Sequence, residues 1–300
     1  MLSITAIVLA YNEEIHIGRC IESLKPVVRK IYVIDSFSND RTVEIAQLLG
    51  ADVKQRKWRN YADQFQWGID NLNIDTPWLM RIDADEYLEH ELQDELCSFP
   101  KIPEDVVGFY INRKVYFQDQ WIRYGGFYPH FVLRIWRTGK GRIEQRWMDE
   151  HIILLPNAKT IKLKGRLVDD NLKGITFWIN KHNGYASREA IDLLNEKYHL
   201  FEKDEGIIQM DNHQAKWKRI IKDLIYTRLP LGSRTFLYFV YRYFFLLGFL
   251  DGKKGFFWHF MQGFWYRLLV DIKIIEIEKR SQGDISKMRN MLMREHHINL

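Results

Sequence analysis

Trp78-Leu79-Met80-Arg81-Ile82-Asp83-Ala84-Asp85-Glu86 is an apolar, strand-like run that ends in two aspartates spaced i, i+2. Alternate residues of an extended segment point the same way, so both carboxylates can face one point just past the strand end. Hard divalent cations, Mg²⁺ or Mn²⁺, take that oxygen chemistry, with substrate phosphates completing the shell. In an open α/β sheet, ligands bind beyond the carboxyl ends of the strands. Position and chemistry therefore agree on a metal–diphosphate site. The competing reading is an acidic turn ahead of a helix, where Asp and Glu are favoured anyway. The flanking sequence decides between them.

Upstream, apolar runs and helical periodicities alternate. Residues 4–10 read as a fully buried strand, 13–24 as a helix, 30–34 as a strand ending at Asp35, and 40–49 as a helix stopped by Gly50. A short strand at 51–54, a helix at 61–72 and the strand at 78–82 follow. Such alternation predicts an α/β fold with a mostly parallel central sheet. The turn after the first strand, Ala10-Tyr11-Asn12-Glu13, lacks GxGxxG, which disfavours a dinucleotide fold. Strands are also expected at 106–117 and 131–137, with turns at Gly125-Gly126 and 139–141. Residues 174–228 read as mostly helical.

Four features fall at successive strand ends: Ala10-Tyr11-Asn12-Glu13, the Asp35-Ser36-Phe37-Ser38-Asn39-Asp40 block, Arg56, and Asp83-Ala84-Asp85. Parallel strands deliver their ends to one edge, so all four can line one crevice. The first loop can wrap a base with backbone groups. Asp35 can accept hydrogen bonds from a base or ribose, and Arg56 can meet the base or a diphosphate. Each also has a plain reading, as a helix cap or a solvated charge. Their joint position favours a nucleotide crevice.

These residues resemble glycosyltransferase family 2, of the GT-A fold. The matching stretches are Ile7-Val8-Leu9-Ala10-Tyr11-Asn12-Glu13-Glu14, the Asp35 to Asp40 block, Gln64 with Trp67-Gly68-Ile69, and Asp83-Ala84-Asp85-Glu86, which together cover residues 1–90. Trp147-Met148-Asp149-Glu150-His151-Ile152 and two late blocks, 247–252 and 263–267, resemble the branch of bacterial lipopolysaccharide-core and surface-polysaccharide glucosyltransferases. Phe65-Gln66 departs from that branch, where a basic residue and Asn are usual. The resemblance implies inverting transfer of a hexose from a nucleotide-diphosphate sugar, favoured as a UDP-sugar, to a lipid-linked saccharide. It implies Asp85 as metal ligand, Asp83 shared between the metal and the ribose, and donor contacts from Ala10, Tyr11, Asn12, Glu13, Asp35, Arg56 and Gln64. It further implies a carboxylate base in a mid-chain block, for which Glu150 is the first candidate and Asp149 the second. His151 stays outside the metal site.

The C-terminal part differs in composition. Residues 231–267 hold 15 of the chain's 43 aromatics, and 212–300 carry 16 Lys and Arg against 7 Asp and Glu in a chain of net charge +5. The preceding part is therefore slightly acidic, and the basic piece suggests an anionic partner. Arg234 and Arg242 interrupt 231–250, and 255–266 is only 12 residues long, so neither stretch suits a membrane span of about 20 residues. Phe257, Met261, Phe264, Leu268, Ile272 and Ile275 make one helical stripe. It suits either an in-plane helix on anionic lipid over 231–277 or ordinary packing, including a homo-oligomer contact. The lipid-linked acceptors that the resemblance implies favour lipid.

The expected organisation is a GT-A domain over 1–210, nucleotide-binding over 1–90 and acceptor-binding over 91–210, followed by a helical basic region over 211–300. Cys20 and Cys97 have no CxxC spacing, and the N-terminal apolar run reads as a strand. The expectation is therefore a cytoplasmic protein, peripheral on the inner membrane. A sugar nucleotidyltransferase would need a Gly-rich, basic first loop, which Tyr11-Asn12-Glu13-Glu14 is not. Nucleic-acid binding is disfavoured because the apolar stripe is too continuous and no RNA-binding motif occurs.

Overall fold

The structure, a computed structural model, describes residues 2–99, 102–144, 151–155, 158–201 and 230–296. The chain divides into two compact units, with the described residues up to Leu172 in a sheet unit and those from Lys173 onward in a helical unit.

The sheet unit opens with β1 (Ile4–Ala10), α1 (Ile17–Leu24), β2 (Lys30–Asp35), α2 (Thr42–Leu48), β3 (Asp52–Gln55), α3 (Tyr61–Asn71) and β4 (Trp78–Asp83). It continues with β5 (Glu86–Leu88), α4 (His90–Cys97), β6 (Val106–Phe117), β7 (Gln120–Ile122), β8 (Phe131–Arg137), β9 (Gly141–Ile143), β10 (Ile152–Leu154) and β11 (Lys159–Asp170). The main sheet runs β3-β2-β1-β4-β8-β6-β11-β5, with β7 paired to β6. From β3 to β4 all strands are parallel, Ala10 lying beside Asp35 and Leu9 beside Asp83. Beyond β4 the sheet is mixed. β8 is antiparallel to both β4 and β6, β11 is parallel to β6, and β5 is antiparallel to β11.

Both faces of the parallel half are covered, which is why β1 is buried along its whole length. Ile4, Ala6, Val8, Ile31, Val33, Met80 and Ile82 join one core with Ile17, Ile21 and Leu24 of α1. The alternate residues Ile7, Leu9, Tyr32, Ile34 and Leu79 join a second core with Phe65 of α3, Trp136, and Ile143 and Ile152 of the β9–β10 ribbon. A Cβ on Gly68 of α3 would stand 2.4 Å from Ile34 Cδ1, so glycine lets α3 approach the sheet. Cys20 and Cys97 are both free thiols.

The helical unit contains α5 (Ile175–Tyr198), α6 (Ser233–Val240), α7 (Gly252–Trp258), α8 (Tyr266–Ser281) and α9 (Ile285–His296). π-helical turns at Tyr241–Phe245 and His259–Trp265 and a 3₁₀ turn at Gly248–Asp251 interrupt the run between α6 and α8. Ala186, Ala190, Ile191 and Leu194 of α5 pack with Val270, Ile274 and Ile277 of α8 and Met288 and Leu292 of α9. The helical unit thus begins at Lys173 rather than at residue 211, because the apolar face of α5 is completed by the C-terminal helices. Residues 211–229 lie outside the described residues.

The stripe expected from Phe257 to Ile275 is not the packing face, since Phe257, Ile272 and Ile275 are exposed. A π turn adds a residue per turn, so the wide turn at His259–Trp265 shifts the register between its two sides. Arg234 and Arg242, which break the apolar run in sequence, are both buried. Arg234 Nε donates to Asp271 Oδ1 at 3.0 Å, and Arg242 Nη1 donates to Tyr238 Oη at 3.3 Å. Among the described residues no helix is long and apolar enough to cross a membrane.

Candidate active site

The loops after β1, β2 and β3 are stitched to one another at the carboxyl edge of the sheet. Asn12, in the left-handed region at φ 54°, donates its N–H to Ser38 Oγ at 2.8 Å, and its Oδ1 accepts from Asn39 N at 2.8 Å. Glu13 N donates to Thr42 Oγ1 at 2.7 Å. Asp35 is fully buried, and its carboxylate accepts from Ser38 N at 3.0 Å, from Gln55 Nε2 at 3.1 Å and from the Ser38 hydroxyl. Its first task is therefore to shape the loop. Tyr11 and Phe37, the latter also left-handed at φ 61°, remain exposed at the ends of the neighbouring strands.

Arg56, just past β3, is braced against α3. Its Nη1 lies 2.6 Å from Asp63 Oδ2 and donates to Gln64 Oε1 at 3.0 Å. Gln64 is buried and returns its amide N–H to the Arg56 carbonyl at 3.2 Å and to Ser36 Oγ at 3.3 Å. Ala10 to Glu13, Asp35, Arg56 and Gln64 thus belong to one hydrogen-bonded edge.

The two aspartates have different surroundings. Asp83 is held by cations and a phenol. Arg134 Nη2 donates to its Oδ2 at 3.2 Å, the Tyr61 hydroxyl bonds its Oδ1, and Arg81 Nε braces that hydroxyl at 2.8 Å. Burial alone would raise the Asp83 carboxyl, but Arg134, Arg81 and the Tyr61 hydrogen bond outweigh it and hold the group well below the usual range. Glu86, 1% exposed, also pairs with Arg134 and accepts the Asp83 N–H at 3.0 Å. Burial pushes its carboxyl up to about 7, with the Asp83 charge adding and Arg134 opposing. Asp85 instead accepts from a neutral amide, Asn171 Nδ2, at 2.9 Å.

β11 delivers that amide, and its path also reaches the first loop. Arg19 Nη1 bonds Asp170 Oδ2 at 2.7 Å. The buried His16 ring lies between Leu172 N, 2.8 Å from its Nε2, and Glu13 Oε2, 2.5 Å from its Nδ1. A backbone N–H can only donate, so Nε2 accepts and Nδ1 carries the proton given to Glu13.

A profile for glycosyl transferase family 2 matches residues 5–159, more than half of the sequence and the loops after β1 to β4. The chain belongs to glycosyl transferase family 2. The architecture is of the expected GT-A type followed by helices. Among similar family members, the lipopolysaccharide core biosynthesis glycosyltransferase LpsC of Rhizobium meliloti is 33% identical over 153 residues, 48% of this chain and 54% of that protein. A glycosyltransferase of Rickettsia felis is 42% identical over 96 residues, 32% of this chain and 33% of its own. This family 2 chain therefore spans about half of one curated relative and a third of the other. A crystal structure of glucosyl-3-phosphoglycerate synthase from Mycobacterium tuberculosis with Mn²⁺ and UDP is 20% identical, covering 38% of this chain and 44% of that one, with a TM-score of 0.30.

Among the described residues of the family 2 chain, no three His, Cys, Asp or Glu side chains form a metal cage. A Mg²⁺-type ion does not need one, since one or two carboxylates with substrate phosphates suffice. Asp85, which accepts from Asn171, and the neighbouring Asp83 give an oxygen-only donor set that fits a hard cation bound together with its ligand. Asp149 and Glu150 lie outside the described residues. His151 is described and exposed. Sequence reasoning missed His16, Tyr61, Arg134 and Asn171. Of these, only Arg134, a charge inside the apolar run 131–137, left a signal.

Proposed function

We propose that this chain is an inverting hexosyltransferase that uses a nucleotide-diphosphate sugar, a UDP-sugar, and a lipid-linked saccharide of lipopolysaccharide or other surface-glycan assembly. Membership of family 2 supports the reaction class. The relative named for lipopolysaccharide core biosynthesis supports the acceptor class. The observation that carries the donor reading is the pair of carboxylates at the strand end. Asp83, fixed by Arg134 and Tyr61, and Asp85, which accepts from Asn171, stand where the loops after β1, β2 and β3 gather.

In this reading Asp85 would hold Mg²⁺ or Mn²⁺, and Asp83 would be shared between the metal and the ribose. The ion, when bound, neutralises charge on the departing diphosphate. Ala10, Tyr11, Asn12 and Glu13 line the nucleotide side. Asp35 and Gln64, both buried, act by holding that loop system in place, and Arg56 offers its remaining N–H groups to the nucleotide. Glu150, or Asp149 in its place, takes the proton of the acceptor hydroxyl. The basic region over 231–277 meets an anionic membrane surface at the cytoplasmic face of the inner membrane, where a lipid-linked acceptor is found. The protein acts there as a peripheral protein.

A thermal-shift panel of UDP, GDP and ADP with and without Mn²⁺ tests this directly, because a ligand of the folded state raises its stability by mass action. Stabilisation by UDP that needs Mn²⁺, and is lost in Asp85→Ala, is expected. A folded protein that answers to no nucleoside diphosphate sinks the donor site.

A further inference from the structure

Residues 244–250 read Phe-Phe-Leu-Leu-Gly-Phe-Leu, an uncharged run between Tyr243 and Asp251. An apolar run of this kind normally ends inside a core. Here it lies on a turn. The π turn after α6 ends at Phe245, Leu247 takes a left-handed conformation at φ 59°, and a 3₁₀ turn leads into α7. Phe244, Phe245, Leu247, Phe249 and Leu250 stay between 43% and 74% exposed, Phe245 most of all.

The turn is polar and tight on its inner side. Asp251 Oδ2 and His259 Nε2 lie 3.2 Å apart, with side chains only 2% and 1% exposed. Two glycines make room for that pair. A Cβ on Gly248 would stand 2.8 Å from His259 Nε2, and one on Gly255 would stand 2.1 Å from Asp251 Cβ. Tyr243 packs edge-on against Phe249 and Phe256, with centroids 6.3 and 5.6 Å away. Buried polar side chains inside and large apolar side chains outside invert the usual order of a water-facing turn.

We propose that this turn is a preformed wedge that inserts its apolar tip into the interfacial layer of an anionic lipid bilayer. Charge complementarity names the occupant. Lys253 is exposed three residues from Leu250, Lys254 follows it, and residues 212–300 carry 16 Lys and Arg against 7 Asp and Glu. Insertion is shallow, because no helix among the described residues is long and apolar enough to span. The proposal deepens the membrane reading above and rests on it. It assigns contact to a locked turn, not to the flat stripe from Phe257 to Ile275.

Co-sedimentation of the full chain with phosphatidylcholine vesicles, with and without phosphatidylglycerol, tests the wedge. Binding to the anionic vesicles is expected to weaken with salt. Phe245→Asp with Leu250→Asp should reduce it about tenfold or more. Lys253→Gln and Lys254→Gln should each lower it about fivefold on anionic vesicles only. Leu48→Asp, at a residue of α2 that is 75% exposed, should leave it unchanged. Phe245→Ser serves as a milder variant, and the Mn²⁺-dependent UDP shift checks each protein's fold. Wild-type protein that ignores anionic vesicles overturns the proposal, as does a charged tip that binds equally well. Loss of a wild-type dimer in Phe245→Asp, without vesicle binding, assigns the face to a second copy and also overturns it. The UDP shift reads the donor site separately, so failure of one reading does not mask failure of the other.

Discussion

In the sheet unit, the buried Arg134 faces Asp83 and Glu86 at the edge where the loops after β1, β2 and β3 meet. In the helical unit, the buried Arg234 faces Asp271 between α6 and α8, and Asp271 also accepts the Gly232 N–H at 2.8 Å. The chemistry is the same and the surroundings differ. The first arginine meets two carboxylates beside exposed loop residues. The second is a closed pair that ties two helices together. The surfaces differ in the same sense, with polar and charged side chains gathered at the sheet edge and aromatic side chains outside in the helical unit. A buried ion pair therefore says little by itself. What it leaves accessible nearby separates a ligand edge from a structural tie.

That contrast can be broken in graded steps. Asp85→Ala removes the carboxylate assigned to the metal and should lower turnover about a thousandfold while the protein stays folded. Comparable turnover in the variant would return Asp85 to an acidic turn. Asp271→Ala leaves Arg234 buried without its carboxylate and should cost about 3–5 kcal/mol in urea unfolding, with the UDP shift intact below the transition. If it instead abolishes UDP binding and spares stability, the two arginines have been assigned the wrong way round.

A third test is acid. His182 in α5 stacks on Trp178 with ring centroids 3.6 Å apart, and burial lowers its pKa to about 4. Its folded pKa lies below the unfolded value of about 6.5, so the unfolded state binds the proton first. The helical unit should be steady above pH 6.5 and lose on the order of 3 kcal/mol as pH falls towards 4. Melting curves of His182→Gln should be flatter across that window, and equal slopes would show that His182 is not the sensor. The smallest effect expected is that of Asn171→Ala. It removes one hydrogen bond to Asp85, and the apparent metal affinity should change only severalfold while kcat holds. A loss as large as that of Asp85→Ala would make the amide part of the chemistry.

The parallel half of the sheet was readable because its strands are continuous apolar runs closed by polar turns, and β6 and β8 coincide with the expected spans 106–117 and 131–137. β11 was not anticipated, because the charges in Lys159–Asp170 mask its alternation. Its absence from the sequence reading hid Asn171 and Leu172, whose partners Asp85 and His16 lie 86 and 156 residues away. The C-terminal aromatics were readable as composition, and the six residues of the expected stripe are all exposed or half-buried, but the π turn that interrupts it was not readable, because it leaves no mark in a 3.6-residue pattern.

Local pattern alone determined the α/β class, the edge on which the loops gather, and the acidic turn at Asp83 to Glu86, because each depends on residues within one strand and its turn. Tertiary structure decided that Arg134 and Tyr61 fix Asp83 while Asn171 reaches Asp85, that Asp35 points into its own loop, and that Phe245 faces out while Arg234 faces in. Those outcomes depend on partners brought from distant parts of the chain, and no spacing along the chain encodes which side of a fold a residue will meet.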